Sequence, residues 1–497
     1  MEIMEELIYS NMIEQVHPLI VPTVLIPLTL VSMGISVIAT FIAGLFGVKL
    51  KAEGPKRLLE LLFKPKILIS ALILNTVFMA GYWGYNYINN MPAFLFNIHR
   101  INQKNLKPQK TINYSSVLER PRSFEIHNKT QFIKKITQQK LIKLDGGVFR
   151  AGAVSGQSVF FGTSKGNTFE IDRANNEIKR EFYTGTFLTP GPLIWNNSLI
   201  IGEGTHDIHH ARIYFYDLLT GKLTKSFTTK GHTEGQATIG TYKNKTLLFA
   251  VAGSDGVYAL DPTSHDKDNN VSVKWHEIVG HTDASVAIAD GVVFVGTGRE
   301  KGNAEKYKTY AAAHEFNTGK LLWKRELPAS SWMKPITISS LVCFVYGEVY
   351  FKSQLGGLQC FDQKSGEPKQ SYHTTQPVIT IPIRVGHRIY FSDLKGTIHA
   401  IDTKKKSILW RAKTKAAKGL AFAGLSYDEH RNVLVFASKK NGLFVFDPLS
   451  GKTIHNWVPK KEETEWKKTY ASVTITKEGW WVADMKGNLR FLKLQFN

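Results

Sequence analysis

Residues 396–410 read Gly396-Thr-Ile-His-Ala-Ile-Asp-Thr-Lys-Lys-Lys-Ser-Ile-Leu-Trp410. A glycine opens an alternating strand, the strand stops at an aspartate, and a second strand ends on tryptophan. Alternation of period two marks half-buried strands. An acid beside turn residues marks a tight connection, in which the carboxylate accepts local backbone N–H groups. The stretch could be part of a cofactor site or part of a wall.

Its recurrence favours the wall. Gly166-Asn-Thr-Phe-Glu-Ile-Asp172 leads to Phe182, Arg212-Ile-Tyr-Phe-Tyr-Asp217 to Phe227, and Gly256-Val-Tyr-Ala-Leu-Asp261 to Trp275. Tyr310-Ala-Ala-Ala-His-Glu315 leads to Trp323, Gly357-Leu-Gln-Cys-Phe-Asp362 to Tyr372, and Gly442-Leu-Phe-Val-Phe-Asp447 to Trp457. Gly487-Asn-Leu-Arg-Phe-Leu-Lys-Leu494 is an eighth copy that ends before its last strand. The acidic position steps by 45, 44, 54, 47, 40 and 45 residues. Two further β-rich runs precede each copy, such as Arg388-Ile-Tyr-Phe-Ser-Asp393. Four short strands per repeat predict an all-β chain built as a β-propeller. The count is eight blades, or seven if the tail is a partial cap. A closed ring leaves no bare edge, so the outer strand missing from the last blade is expected from Lys134–Leu144.

The Gly-x-hydrophobic-x-Ala-Leu/Ile-Asp-x-x-Thr-Gly…Trp pattern resembles the pyrroloquinoline-quinone-type propeller repeat, from roughly Leu141 to the C-terminus. Within that family the chain is similar in architecture to the eight-bladed scaffold propellers of outer-membrane barrel assembly. The resemblance implies fold more than activity. Quinone-dependent members hold their cofactor against adjacent cysteines and a calcium ion, and this chain has no Cys-Cys pair. Scaffold members are lipid-anchored, and no lipobox cysteine is present here.

The N-terminal part reads differently. After an acidic segment (1–18), residues 19–48 carry no charge, and the expected span is 27–48 because Pro22 and Pro27 break a longer helix. A second uncharged run, 67–88, ends in Tyr82, Trp83, Tyr85 and Tyr87, as an interfacial belt would. Six Lys/Arg against two Glu in loop 49–66 place that loop in the cytoplasm. Residues 19–90 are thus expected to form a transmembrane hairpin in a bacterial inner membrane. Both termini, a tether (91–130) and the propeller (131–497) then lie on the periplasmic side. Ser32, Ser36, Thr40 and Gly44 form a line of small side chains suited to close helix packing, and Asn75 sits mid-span in the second helix.

The net charge is +22, of which +18 lies beyond residue 110. Such a surface suits anionic partners, although plain solubility accounts for the same excess. Cys343 and Cys360 read as core thiols two strands apart, about 9.5 Å and beyond the ~7 Å limit for a bridge, so they carry no message about compartment.

Candidate binding residues fall in loops between repeats. Gly231-His-Thr-Glu-Gly235 and Gly280-His-Thr-Asp-Ala284 nearly repeat, and the pattern resembles the turn that opens a WD40 repeat. His232 and His281 could act as funnel ligands, but an acid two residues after each favours mutual satisfaction within its own loop. His206, Asp207, His209 and His210 form a loop cluster without a distant ligand group. Trp332, Met333 and Lys334, Trp466 and Tyr470, and Phe187 are read as exposed-loop residues suited to a protein-binding hot spot, with folding under the loops as the alternative. No nucleophile elbow or phosphate loop appears. The expectation is a non-enzymatic scaffold with no cofactor and no metal, binding other membrane or envelope proteins and, through its spans, membrane lipids. Nucleic acid is not expected. A tethered quinoprotein oxidoreductase and a module for an anionic cell-wall polymer are the alternatives.

Overall fold

Each repeat folds as an antiparallel four-stranded sheet because its turns and its alternation agree on one register. The computed structural model describes residues 133–496 except 205–207, 300–307, 349–354, 415–423, 439–440 and 460–467. The expected spans, the basic loop, the tether, Ser32, Ser36, Thr40, Gly44 and Asn75 lie outside the described residues, as do His206, Asp207 and Trp466. Among the described residues no helix is long and apolar enough to cross a membrane.

Eight four-stranded sheets are present, which settles the count at eight blades. Blade 1 holds Ala153–Ser155, Ser158–Gly162, Asn167–Asp172 and Glu177–Tyr183, and the same order repeats through blade 7, which ends at Thr453–Trp457. First strands of neighbouring blades approach one another at the hub. Blade 8 pairs Thr474–Ile475, Trp480–Ala483 and Asn488–Phe496 from the C-terminus with Ile133–Lys143 from the start of the domain. The register runs from Ile133 opposite Phe496 to Lys143 opposite Asn488, with two irregularities along the way. The clasp expected from Lys134–Leu144 is therefore formed, one residue earlier at its start.

The acid and the tryptophan are two halves of one joint. In blade 6 the Asp402 carboxylate accepts the N–H groups of Lys404 (2.9 Å) and Lys405 (3.0 Å), fixing the turn to the fourth strand. Trp410 at the end of that strand donates its indole N–H to the Pro448 carbonyl of blade 7 at 3.2 Å. Trp275 does the same to Phe316 of blade 4, and Trp323 to Gln363 of blade 5, both at 2.9 Å. Each acceptor is the residue after the next blade's acid, Asp447, Glu315 or Asp362. The indole packs against that turn's glycine. A Cβ at Gly366 would stand 2.5 Å from Trp323, and its φ of +68° favours glycine besides. His399, inside the opening stretch, bonds Asp393 at 3.1 Å and stacks on Phe391. The stretch is wall.

Apolar clusters between blades complete the ring. Trp323, Phe294 and Leu327 of blade 4 pack on Val342, Phe344 and Phe361 of blade 5. Ile133 and Ile136 join Val435, Trp457, Trp480 and Leu492 at the seam of blades 7 and 8. The cysteines depart from expectation. Leu341–Gly347 pairs directly with Gly356–Asp362, placing Cys343 opposite Cys360 with Cα atoms 3.9 Å apart, and the two form a disulfide. The expectation inserted a third strand between them, but the two strands are the arms of one hairpin.

Candidate functional site

The hub is lined by loops that lead into the first strand of each blade, and backbone bonds fix those loops before any side chain acts. Thr233 N–H reaches the Glu203 carbonyl of blade 2 (3.1 Å), Thr282 and Gly253 exchange bonds of 2.9 and 3.1 Å, and Ser331 N–H reaches Thr297 (3.0 Å). Each loop is pinned to the blade before it. The ends of these loops enclose a cavity of about 170 Å³ lined by Arg150, Asp283, Trp332, Met333, Lys334 and Tyr470, among others. A larger cavity of about 760 Å³ is lined by first strands of blades 1, 2, 7 and 8 and by the turns that leave first strands, including Glu429 and His430. Ala151 and Gln236 line both.

Residues separated by hundreds of positions thus converge on one site. Trp332, Met333, Lys334 and Tyr470 share the smaller cavity. Phe187 joins the rim through Phe149, with ring centroids 5.3 Å apart and Phe149 6.0 Å from Tyr470. The aromatics are not exposed, however. Trp332 is 8% exposed and Tyr470 5%, and Trp332 packs on Ile379, Leu394 and Met333. The loops curl inward because blade closure buries their apolar side chains. His209 and His210 are exposed and take no part.

The two histidine loops interlock. His281 Nε2 bonds Asp283 Oδ2 of its own loop at 2.9 Å, as expected. His232 reaches beyond its own loop: its Nε2 bonds Asp283 Oδ1, also at 2.9 Å, across the blade 3–4 boundary. One carboxylate therefore serves two imidazoles, whose centroids are 5.4 Å apart. All three side chains are buried. Burial works to raise the Asp283 carboxyl, but hydrogen bonds from His281 and His232 outweigh it and hold the group well below the usual carboxylate range. Ser254 Oγ sits 2.9 Å from His281 Nδ1, and Trp332 meets His281 edge to face at 6.1 Å. Gly253 makes room for this, since a Cβ there would stand 2.6 Å from the His232 ring. Arg150 lies half-buried in the same region. Desolvation lowers its pKa, and the charges of Glu234 and Asp283 oppose that shift.

Arg150 and Ser254 escaped the sequence reading. Neither sits in a repeated motif, and only the ring brings blade 1 to face blade 4. The available signal was the position of Arg150, three residues before a first strand, like Lys334 two residues before its own.

Comparison with known proteins agrees with this architecture. Residues 307–469 match the family model described as outer membrane protein assembly factor BamB. No curated protein matches the chain. Among solved structures, BamB from Moraxella catarrhalis aligns with a TM-score of 0.52 at 13% identity, covering 72% of this chain and 100% of that one. Quinohemoprotein alcohol dehydrogenase from Comamonas testosteroni gives 0.54 at 11%, covering 73% and 76%. The computationally designed protein Ika8 gives 0.55 at 13%, covering 72% and 100%. The chain is an eight-bladed propeller, and over residues 307–469 it matches the family model of the outer membrane protein assembly factor BamB.

Proposed function

We propose that the propeller is a non-enzymatic scaffold that binds a partner protein of an envelope assembly through the loops that lead into its blades. The observation that carries the reading is convergence: Trp332, Met333, Lys334, Tyr470 and Phe187 come from three different blade junctions to one hub face. Aromatic, thioether and cationic groups set in a concave site are the composition of protein hot spots. Rigid blades hold these loops in place, so docking costs little ordering entropy. The match to an outer membrane assembly factor supports an envelope role. In this proposal residues 27–48 and 67–88 tether the propeller to a bacterial inner membrane on its periplasmic face. The Cys343–Cys360 bridge supports that side, because disulfides persist in oxidising compartments.

Gentle detergent extraction, followed by identification of the co-purifying proteins, tests the reading. A specific partner is expected to remain bound between ~50 and ~200 mM salt and to lose roughly tenfold in affinity, about 1.4 kcal/mol, on Lys334→Glu. An anionic polymer held by the basic surface would instead come off over that salt range. Dye reduction after reconstitution with quinone and calcium would contradict the scaffold reading. The two cysteines present are joined within blade 5 and offer no adjacent pair for a quinone.

A further inference from the structure

We propose that His232, His281 and Asp283 bind a divalent transition metal ion, with zinc as the natural occupant, at the blade 3–4 junction of the hub. One nitrogen from each imidazole and one carboxylate oxygen lie within 4.8 Å of one another, and all three residues are buried. Both Nε2 atoms already face the carboxylate at 2.9 Å. A tetrahedral ion with ligands at 2.0–2.1 Å needs its donor atoms about 3.3 Å apart, so each nitrogen–oxygen pair would open by some tenths of an ångström while the two imidazole nitrogens, now within 4.8 Å, settle to that same spacing. Imidazole and carboxylate donors together suit zinc, with nickel and copper as competitors. Binding moves each imidazole proton from Nε2 to Nδ1 or to solvent, leaving the Nε2 lone pair for the ion. Ser254 Oγ, 2.9 Å from His281 Nδ1, is placed to accept a hydrogen bond from Nδ1–H and fix the ring's tautomer, as the outer partners of metal-bound histidines do.

Access agrees with this assignment, and the carboxylates of Glu234 and Asp283 balance the charges of Arg150 and Lys334 in the same region. Asp283 lines the 170 Å³ cavity, so a fourth position would face that space and admit water or an exogenous ligand. That makes it an open site rather than a closed structural one. Arg150 and Lys334, which line the same cavity, favour an anionic fourth ligand, such as a carboxylate. The rival account is that the two histidines and the aspartate only lace two blades together by hydrogen bonds.

The test uses the untagged full-length chain in detergent, stripped by chelator and titrated with cobalt(II) and zinc. One equivalent of cobalt is expected to give visible bands of four-coordinate geometry that zinc abolishes. Asp283→Asn and the double variant His232→Gln/His281→Gln should each lose the bands while retaining the wild-type far-ultraviolet dichroism. Ser254→Ala should keep them with affinity lowered roughly 10- to 100-fold. Chelator-treated wild type that takes up no stoichiometric cobalt or zinc would overturn the proposal. So would bands that survive in the double variant, because the ion would then be held elsewhere. A variant that loses its native dichroism is replaced by His281→Gln alone, which must weaken binding at least tenfold for the assignment to stand.

Discussion

Deleting Leu141–Leu144 is expected to abolish cooperative unfolding of the propeller, leaving a chain that binds hydrophobic dye and aggregates. The segment buries Ile142 and Leu144 and pairs Leu141, Ile142 and Lys143 with Arg490, Leu489 and Asn488. Leu144 N–H adds a bond of 2.7 Å to the Gly487 carbonyl. Two buried aliphatic side chains contribute roughly 1.5–3 kcal/mol each, and the ladder bonds about 1 kcal/mol each. The sum, on the order of 5–10 kcal/mol, rivals the whole stability of an ordinary domain. Removing it also bares the edge of residues 488–490, an invitation to pair with other chains. Calorimetry together with light scattering checks this. A sharp transition near the wild-type temperature in the deleted protein would show that the clasp does not close the ring.

Trp323→Ala is expected to cost about 3–5 kcal/mol, the range for truncating a buried large aromatic. Trp323 is 4% exposed and has ring neighbours in both blades it joins, Phe294 at 6.0 Å and Phe361 at 5.8 Å. Its loss leaves a cavity over Gly366 and the Gln363 carbonyl without its indole donor. Leu321, on the same strand but 47% exposed, is the control. Its alanine variant should change stability by less than about 0.5 kcal/mol. Denaturant unfolding of the two variants side by side measures the contrast, and equal losses would mean that the joint between blades is not where the stability resides.

The repeat was legible because its parts are local. Asp402, its turn and Trp410 lie within nine residues, and a motif repeated seven times announces a radial architecture even before the partner surface is known. The clasp followed from counting strands in the last copy. What stayed hidden depends on contacts between distant residues. Asp283 bonds His232 from 51 positions away, a pairing that only the blade 3–4 boundary creates. The cysteines were misplaced because 341–347 and 356–362 read equally well as neighbours or as strands separated by a third. Trp332 looked exposed because a loop sequence rich in Ser, Trp and Lys does not reveal that the ring folds it inward. Burial at a hub depends on closure, which no single loop encodes.

Site-specific photo-cross-linking in the native membrane tests the central claim most directly, namely that the loops leading into the blades form the binding face. A photoreactive residue at Phe187 or Lys334 should yield one discrete partner adduct, and the same residue at His430, among the turns leaving the first strands, should yield none. Adducts at His430 with nothing at Phe187 or Lys334 would contradict the account.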